Sequence, residues 1–374
     1  MEKKDLAGTD KVQQAFGIYL PDLPVEWNGE FIRNVRKIIG QGPFLGKKSV
    51  LLLSNPQFKY HEKHILLYLS YKFKKIDCCC VYHPDYSLKA KLKSVRYIPL
   101  SDITRSCYDY IIVYKCLGFF SGAIDSVRAG KYYVLMTGTD ISDMQKDPGI
   151  SRKLSRSGKK VVYFNLFKHT ISRSVFPGQN RKKHAAINWP PTLDVFYKVP
   201  REPLFDLLFM GGAWRNYKFL YENRRIFGDK KVIITHCDAR MHSGGTKQEF
   251  NYDSKYISLL KKERNMICLD RLNESLYCRL LLYTKSVICL FRHPVQYDSG
   301  CISDALWYGK PVITNKTLAT RYLKNHVLYV ASGREFGEAL KKLEDPEFYR
   351  QVSRKAMDYA GRENNIFSLL KKIE

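Results

Sequence analysis

Short apolar segments that alternate with longer helical segments constrain the fold of this chain more than any other feature. Each is a run of apolar residues bounded by turn residues, which is typical of strands buried on both faces of a parallel sheet. In the first half of the chain they are Ser49–Ser54, Ile76–Val81, Tyr110–Tyr114, Tyr132–Met136 and Val161–Phe164. In the second half they are Phe205–Met210, Val232–Thr235, Met266–Leu269, Ser286–Phe291, Pro311–Thr314 and Leu328–Val330. The alternation predicts βαβ units and therefore an α/β fold.

A proline-rich segment separates the two series of strands. It spans Asn188–Pro203, reads NWPPTLDVFYKVPREP and interrupts the rhythm. We therefore predict a Rossmann-like domain at residues 1–190, a linker at 191–204 and a second Rossmann-like domain at 205–360. Residues 361–374 are expected to form a last helix, and packing back on the N-terminal domain is one option for it. Two such domains facing each other leave a cleft, and ligands bind at the carboxyl ends of parallel strands.

The composition is that of an ordinary globular chain. Hydrophobic residues make up 45% and charged residues 26%, and no window holds the roughly 18 uninterrupted apolar residues that a membrane span needs. The N-terminal segment MEKKDLAGTD lacks the apolar core of a signal peptide. The ten cysteines are scattered without a paired CxxC motif, which argues against a zinc site and fits reduced thiols in the cytoplasm.

The net charge of +27 indicates an anionic partner. Most of the excess lies in residues 1–200, where aromatic residues are found among or near the basic clusters. The clusters are Lys72–Lys75, Lys89–Arg96, Arg152–Lys160 and Arg181–Lys183. Basic and aromatic residues together suit an anionic membrane surface, and they also suit nucleic acid, whose bases stack on aromatic rings. A solvated basic surface without a partner is the third interpretation.

The segment Asp298–Asn315, DSGCISDALWYGKPVITN, predicts a glycine turn, a short helix and a buried strand. Gly309 and Pro311 mark the end of the helix. A helix that begins in a glycine turn offers unpaired N–H groups and the positive end of its dipole to a phosphate. Asp304, one turn into the helix, is suited to bind sugar hydroxyls. The alternative is an ordinary βαβ crossover with a surface aspartate.

The same segment resembles the C-terminal nucleotide-sugar motif of GT-B fold glycosyltransferases that build polysaccharide and lipopolysaccharide, with a family 4-like C-terminal domain. In that family a glycine turn precedes a short helix with an acidic residue and then a GxPVI strand, which here reads GKPVI over Gly309–Ile313. The resemblance implies that Asp304 holds the ribose hydroxyls of the donor. The residues whose backbone is expected to approach the diphosphate are Ser299, Gly300, Cys301 and Ile302.

The acidic residues depart from the best-known form of the motif, in which two glutamates are separated by seven residues. Counted back from Asp304, the position of the first glutamate holds Gln296, and Asp298 is out of register. Asp298 is therefore either a donor ligand or a residue that forms the turn.

A glycine-rich loop after the first strand of the second half resembles the opening loop of the family's donor domain. It reads MGGAWRNYK and contains Gly211, Gly212, Arg215 and Lys218. In the family, basic residues of this loop bind the diphosphate, and arginine can grip phosphate oxygens with two parallel hydrogen bonds. The alternative is a surface turn with solvated charges.

Two further segments of the second half resemble donor-site elements. Residues 268–276 resemble the strand and loop that cradle the base, where contacts are mostly from the backbone, and Asn273 is better explained as a helix N-cap. His293 lies where family members place residues near the donor sugar, although a structural histidine is equally consistent.

The segment MTGTDI, Met136–Ile141, resembles the family's hGtD motif beside the acceptor. Only Gly138 and Asp140 match that motif. Asp140 is the catalytic candidate, because a carboxylate in the cleft can take the proton from an acceptor hydroxyl. The alternative is a helix N-cap.

Together the motifs predict a metal-independent, hexosyltransferase-like enzyme that needs no cofactor beyond a nucleotide diphosphate sugar as co-substrate. The resemblance implies transfer to a hydroxyl of a glycan or lipid-linked glycan in surface polysaccharide synthesis. The expected location is the cytoplasm, with peripheral attachment to the inner face of the membrane. Two alternatives remain open: a DNA-modifying glycosyltransferase, which the charge also fits, and a non-catalytic binding protein on a degenerate GT-B scaffold.

Overall fold

The chain forms two units, each built around one parallel sheet. A computed structural model describes residues 3–21, 45–55, 59–81, 94–136, 140, 144, 146–165, 185–186, 200, 202–211, 215–236, 247–270, 272, 274–292, 300–317 and 320–362. The C-terminal unit comprises Met1–Ile32 and Pro191–Arg362, and the N-terminal unit comprises Arg33–Pro190 and Glu363–Glu374.

The N-terminal unit contains a seven-stranded parallel sheet in the order β3-β2-β1-β4-β5-β6-β7. Its strands are β1 (Val50–Ser54), β2 (Ile76–Cys80), β3 (Val95–Tyr97), β4 (Cys107–Tyr114), β5 (Arg128–Met136), β6 (Val161–Asn165) and β7 (Ala185–Ala186). The direction of winding reverses between β1 and β4, which pair in register from Val50 opposite Tyr110. This reversal is a topological switch point, where ligands of such sheets bind.

The C-terminal unit repeats the arrangement with a six-stranded parallel sheet in the order β10-β9-β8-β11-β12-β13. Its strands are β8 (Phe205–Phe209), β9 (Val232–His236), β10 (Met266–Asp270), β11 (Thr284–Cys289), β12 (Val312–Thr314) and β13 (Leu328–Tyr329). The switch point lies between β8 and β11, which pair in parallel. Both sheets are therefore doubly wound, as the alternating pattern predicted.

Helices connect and cover the strands of both sheets. The α-helices of the described residues are α1 (Lys3–Phe16), α2 (Lys59–Lys72), α3 (Leu117–Ala123), α4 (Pro148–Arg156), α5 (Tyr217–Glu222), α6 (Lys247–Leu260), α7 (Glu274–Tyr283), α8 (Gly300–Trp307), α9 (Gly333–Lys342) and α10 (Pro346–Arg362). Short 3₁₀ helices occupy Leu100–Asp102, Arg224–Phe227 and Arg321–His326.

The two faces of the C-terminal sheet each carry a buried apolar layer. Alternate residues of a strand point to opposite faces, so Ile233 packs in one layer while Val232 and Ile234 pack in the other. Residues from α1, α7, α8 and α10 complete the first layer, and residues from α5, α6 and α9 complete the second. Strands buried on both faces explain why their sequences are continuous apolar runs.

The N-terminal helix α1 belongs to the C-terminal unit, whereas the predicted boundary at residue 190 placed it in the N-terminal domain. Val12 and Leu20 are fully buried in the layer that contains α7. The buried Arg279 of α7 donates hydrogen bonds from Nε to the carbonyl oxygen of Pro21 at 2.7 Å and from Nη2 to that of Leu20. The amphipathic pattern of a helix shows that it packs, but it does not show against which sheet. The predicted last helix, residues 361–374, lies outside the described residues apart from the end of α10.

The basic clusters of the N-terminal unit are only partly exposed. Arg152, Lys153 and Arg156 lie on the exposed face of α4. Lys72 belongs to the first basic cluster of the sequence, but its side chain is buried. Its Nζ lies 5.6 Å from the centre of the Tyr68 ring. Residues 89–93 and 181–183 lie outside the described residues. No helix of the described ranges is long and apolar enough to cross a bilayer.

Candidate functional site

The candidate site of the C-terminal unit lies at the switch point between β8 and β11. Met210 and Gly211 follow β8, and Leu290 and Phe291 follow β11. The backbone of Arg215 forms an antiparallel bridge with Phe291. This bridge returns the glycine-rich loop to the carboxyl edge of the sheet, so that Arg215 lies at the position where such sheets bind ligands.

The side chain of Arg215 is held firmly by the protein. It is only 7% exposed, its Nε donates a hydrogen bond to the carbonyl oxygen of Met210 at 2.9 Å, and its guanidinium carbon lies 4.5 Å from the centre of the Phe291 ring. The thiols of Cys289 and Cys301 are its neighbours. Because arginine does not deprotonate in proteins, the arrangement fixes a positive charge at the switch point.

Gly211 is required by the packing of the loop against β9. Its N–H donates to Oγ1 of Thr235 at 2.8 Å. A Cβ at this position would overlap the carbonyl oxygen of Thr235 and approach the hydroxyl of Tyr217 to 2.6 Å. The close approach of the Gly211 backbone to Thr235 thus explains why this position is a glycine. Gly212 lies outside the described residues.

The segment after β11 forms the predicted helix, turn and strand. Helix α8 begins at Gly300, Gly309 adopts a φ of +65° at the turn, and β12 follows. Cys301 is half-buried, whereas the side chain of Ile302 is part of the core. Only the backbone of Ile302 is therefore suited to contact a ligand. His293, Asp298 and Ser299 lie outside the described residues.

Asp304 is buried beneath the switch point. It is 1% exposed, which rules out the alternative of a surface aspartate, and its Oδ2 accepts a hydrogen bond from the hydroxyl of Tyr277 at 2.9 Å. Burial, and next the nearby carboxylate of Asp304, hold the pKa of Tyr277 well above its usual value. The sequence did not indicate Tyr277, because a tyrosine on the apolar face of α7 carries no motif.

Lys218 lies on the first turn of α5 rather than in the loop. Its Nζ is 3.6 Å from the carboxylate of Glu222 one turn along, and both side chains are about half exposed. Asn216 caps the helix by accepting the N–H of Phe219 at 3.1 Å. The described contact of Lys218 is thus a surface ion pair.

Asp140 lies at the corresponding edge of the N-terminal sheet. It is 1% exposed, and its Oδ1 accepts the backbone N–H of Leu117 at 3.2 Å. Leu117 is the first residue of α3, so the carboxylate satisfies the amino end of a helix that precedes it in the chain. Gly138 lies outside the described residues.

Lys115 lies near Asp140 at this edge, and no sequence motif indicated it either. It is 3% exposed and has a φ of +56°, which is uncommon for a residue with a side chain. Burial lowers the pKa of the Lys115 amine to about 6, against the smaller opposing effect of the Asp140 carboxylate. Cys116 follows, and burial raises the pKa of its thiol well above the usual value.

Comparisons with known proteins place the fold. No family model matches the chain and no curated protein resembles it in sequence. Among solved structures, HepE from Anabaena in complex with UDP-glucose has a TM-score of 0.59 at 13% identity, covering 87% of this chain and 98% of its own. Sucrose-phosphate synthase from Thermosynechococcus elongatus has a TM-score of 0.55 at 11% identity, covering 86% and 97%.

A third similar structure is WaaG, a glycosyltransferase involved in lipopolysaccharide biosynthesis, with a TM-score of 0.51 at 11% identity, covering 87% of this chain and 98% of its own. At 11–13% sequence identity, structural similarity shows only that the chain shares the fold of these proteins. The chain therefore has the GT-B fold of two Rossmann-like α/β units, and the predicted fold class is confirmed.

Proposed function

We propose that this protein is a glycosyltransferase that moves a sugar from a nucleotide diphosphate sugar to a hydroxyl of a glycan or lipid-linked glycan. One observation carries the proposal: a buried, permanently charged Arg215 is fixed at the switch point of the C-terminal sheet. Similar structures include the glycosyltransferase WaaG and HepE in complex with UDP-glucose. A fixed cation at this position suits the diphosphate of such a donor.

The chemistry requires stabilisation of the diphosphate leaving group. As the bond between the anomeric carbon and the diphosphate oxygen breaks, negative charge develops on that oxygen. Arg215 and the positive end of the α8 dipole at Gly300 and Cys301 are proposed to stabilise it. Lys218 is proposed as a second phosphate ligand, for which its long side chain would exchange Glu222 for the donor.

Asp304 is proposed to bind the ribose hydroxyls, as the family resemblance implies. Its carboxylate accepts a hydrogen bond from the Tyr277 hydroxyl. Ribose hydroxyls would add to that bond or replace it. Tyr277 then acts as the residue that holds the carboxylate in place.

On the acceptor side, Asp140 is proposed to accept the proton of the attacking hydroxyl. The acceptor oxygen forms the new bond to the anomeric carbon while the bond to the diphosphate breaks, and the proton passes to the carboxylate. Lys115 lies beside Asp140 and is largely uncharged near neutral pH, since its pKa is lowered to about 6.

The proposal includes docking on an anionic membrane surface for surface polysaccharide synthesis at its inner face. The exposed arginines and lysine of α4 support it, because each basic residue near such a surface contributes about 1 kcal/mol. Cosedimentation with phosphatidylglycerol vesicles at low salt, lost at high salt and in an Arg152→Glu/Arg156→Glu variant, is the expected result. Equal recovery with neutral vesicles would contradict membrane docking.

The enzymatic proposal is tested by nucleotide release. Wild-type protein incubated with UDP-, GDP- and dTDP-sugars is expected to release the nucleotide diphosphate from one of them, slowly to water and faster when acceptor glycans are added. Arg215→Lys and Asp140→Asn are expected to lower the rate by at least about tenfold each, within the usual range for such groups. The proposal would be refuted if the protein bound none of these donors and released nucleotide from none of them.

A further inference from the structure

A pocket of about 510 Å³ opens at the carboxyl edge of the C-terminal sheet, on the face covered by α5 and α9. We call it the α5–α9 pocket. Its walls are the amino ends of these two helices and the residues that follow β11, β12 and β13. The residues that define its chemistry are Asn216, Phe219, Asn315, Lys316, Tyr329 and Glu335.

The walls of the pocket are held in place by the protein itself. Asn315 accepts the N–H of Phe291 at 2.8 Å and donates to its carbonyl oxygen at 2.9 Å. Oε2 of Glu335 accepts the N–H of Ala331 at 2.5 Å. The ring of Phe219 packs edge-on against Phe336 with 5.7 Å between centres. A pocket with fixed walls binds without a large ordering cost.

The α5–α9 pocket also offers hydrogen-bonding groups of both kinds. Asn216 uses its amide oxygen to cap α5. Among the described residues, no hydrogen bond is seen from its amide nitrogen or from the Lys316 ammonium. Glu335 accepts with Oε2 of its carboxylate, and no hydrogen bond to its other oxygen is seen from the described residues. Amide N–H groups and an ammonium donate, and a carboxylate accepts. Hydroxyl groups pair with both kinds.

The amino ends of α5 and α9 would tolerate an anion, but the side chains of the pocket carry no net positive charge that would select one. Lys316 and Glu335 contribute one charge of each sign, although lysines and arginines outnumber acidic residues by 63 to 36 in the whole chain. A site for phosphate would show an excess of cations. Phe219 and Tyr329 add apolar ring surface, and mixed polar and aromatic walls with a volume of this order are typical of small-molecule sites.

We propose that the α5–α9 pocket binds a neutral saccharide of one or two sugar units, independently of the nucleotide sugar. Sugar hydroxyls would pair with Asn216, Lys316 and Glu335, and the ring faces would lie on Phe219 and Tyr329. The pocket adjoins the proposed donor site, since Asn216 follows Arg215 and Asn315 holds the backbone of Phe291. A glycan bound here would be kept beside the reacting groups.

The test is titration of the full chain with neutral disaccharides in the absence of nucleotide, measured by calorimetry or saturation-transfer NMR. The probes are maltose, lactose, cellobiose and mannobiose, with inorganic phosphate as a separate probe. At least one disaccharide is expected to bind with saturation. Lys316→Met and Asn216→Asp, which keeps the capping oxygen, are each expected to weaken binding at least tenfold.

The matched control is Lys342→Met at the exposed last turn of α9, which should leave binding unchanged. Circular dichroism and the Tm establish that each variant is folded. The proposal would be overturned if no disaccharide bound with saturation, or if both pocket variants bound as tightly as wild type. Saturable phosphate binding that Lys316→Met abolishes would also overturn it. Nucleotide-sugar binding is measured separately with Arg215→Lys, so failure of the donor site would be visible on its own.

Discussion

The two units present different groups at the same topological position. At the switch point of the C-terminal sheet, Arg215 is fixed by Met210 and Phe291. At that of the N-terminal sheet, Lys115 and Asp140 lie together, and Asp140 accepts the first N–H of α3. Both basic residues are almost fully buried.

The difference lies in the charge that each basic group retains. Arginine keeps its proton at any pH that a folded protein tolerates, whereas burial lowers the pKa of Lys115 to about 6. Near neutral pH the C-terminal edge therefore carries a fixed cation, and the N-terminal edge carries an acid beside a mostly neutral amine. The proposed function thus assigns anion binding to this edge in one unit and proton acceptance to the corresponding edge in the other.

The largest effect on stability is expected from Gly211→Ala, which would disrupt the packing at the carboxyl edge of the C-terminal sheet. The new Cβ would overlap the carbonyl oxygen of Thr235, and a backbone atom cannot move aside cheaply. We expect a loss of about 3 kcal/mol or more in the free energy of unfolding, at the upper end of overpacking effects. Urea denaturation measures it.

Gly122→Ala in α3 of the N-terminal unit is the matched control. Apart from the neighbouring backbone of its own helix, no atom of the described residues lies within 4 Å of a Cβ there, so alanine should stabilise the helix by about 0.5–1 kcal/mol. Equal stability of the two variants would show that the close approach at Thr235 does not constrain the fold.

The next effect concerns Asp140 at the N-terminal edge. Asp140→Ala leaves the buried N–H of Leu117 without its acceptor, at a cost of about 1–3 kcal/mol. Asp140→Asn keeps an oxygen acceptor and should cost less. If both variants are as stable as wild type while nucleotide release is lost, Asp140 has a chemical role without a structural one.

Buried lysines make the free energy of unfolding depend on pH in both units. Burial lowers the pKa of Lys310 to about 7, and its Nζ donates to the carbonyl oxygens of Leu282 and Thr284, each at 2.7 Å. Between about pH 7 and the usual lysine pKa the unfolded chain binds a proton that the folded chain lacks. The free energy of unfolding should therefore rise with pH, by up to about 1.4 kcal/mol per pH unit for this group.

In Lys310→Met, the contribution of Lys310 to the increase of the unfolding free energy with pH should disappear. The variant should also be less stable overall, because the carbonyl groups of Leu282 and Thr284 lose their donor. Lys115→Met should remove a similar share that begins about one pH unit lower, since its pKa is about 6. Denaturant titrations at pH 6 to 9 measure both slopes. An unchanged slope in either variant would show that the lysine remains protonated in the folded unit.

The smallest effect is expected from Lys218→Ala. The ion pair with Glu222 is exposed and spans one helical turn, so its loss should cost only about 0.3–0.5 kcal/mol. Chemical denaturation should show the variant to be almost as stable as wild type. A loss above 1 kcal/mol would mean that Lys218 has a buried contact at the loop.

Sequence patterns predicted the elements whose signal is local. The strands that line the two switch points, the helix at Gly300 and the turn at Gly309 follow from apolar runs and turn residues. The packing partner of α1, the burial of Lys72 and the contact of Tyr277 with Asp304 depend on residues that are distant in sequence. The spacing of apolar residues along the chain carries no information about such contacts, so the sequence could not predict them.

The most direct test of the central claim is calorimetric titration of wild type, Arg215→Lys and the control Lys342→Met with UDP-, GDP-, CMP- and dTDP-sugars. We expect one of them to bind wild type and the control equally. Arg215→Lys should bind it at least about tenfold more weakly, which corresponds to about 1.4 kcal/mol, because lysine keeps the charge but not the paired hydrogen bonds. No binding by wild type, or equal binding by Arg215→Lys, would contradict the assignment of this edge to a nucleotide sugar.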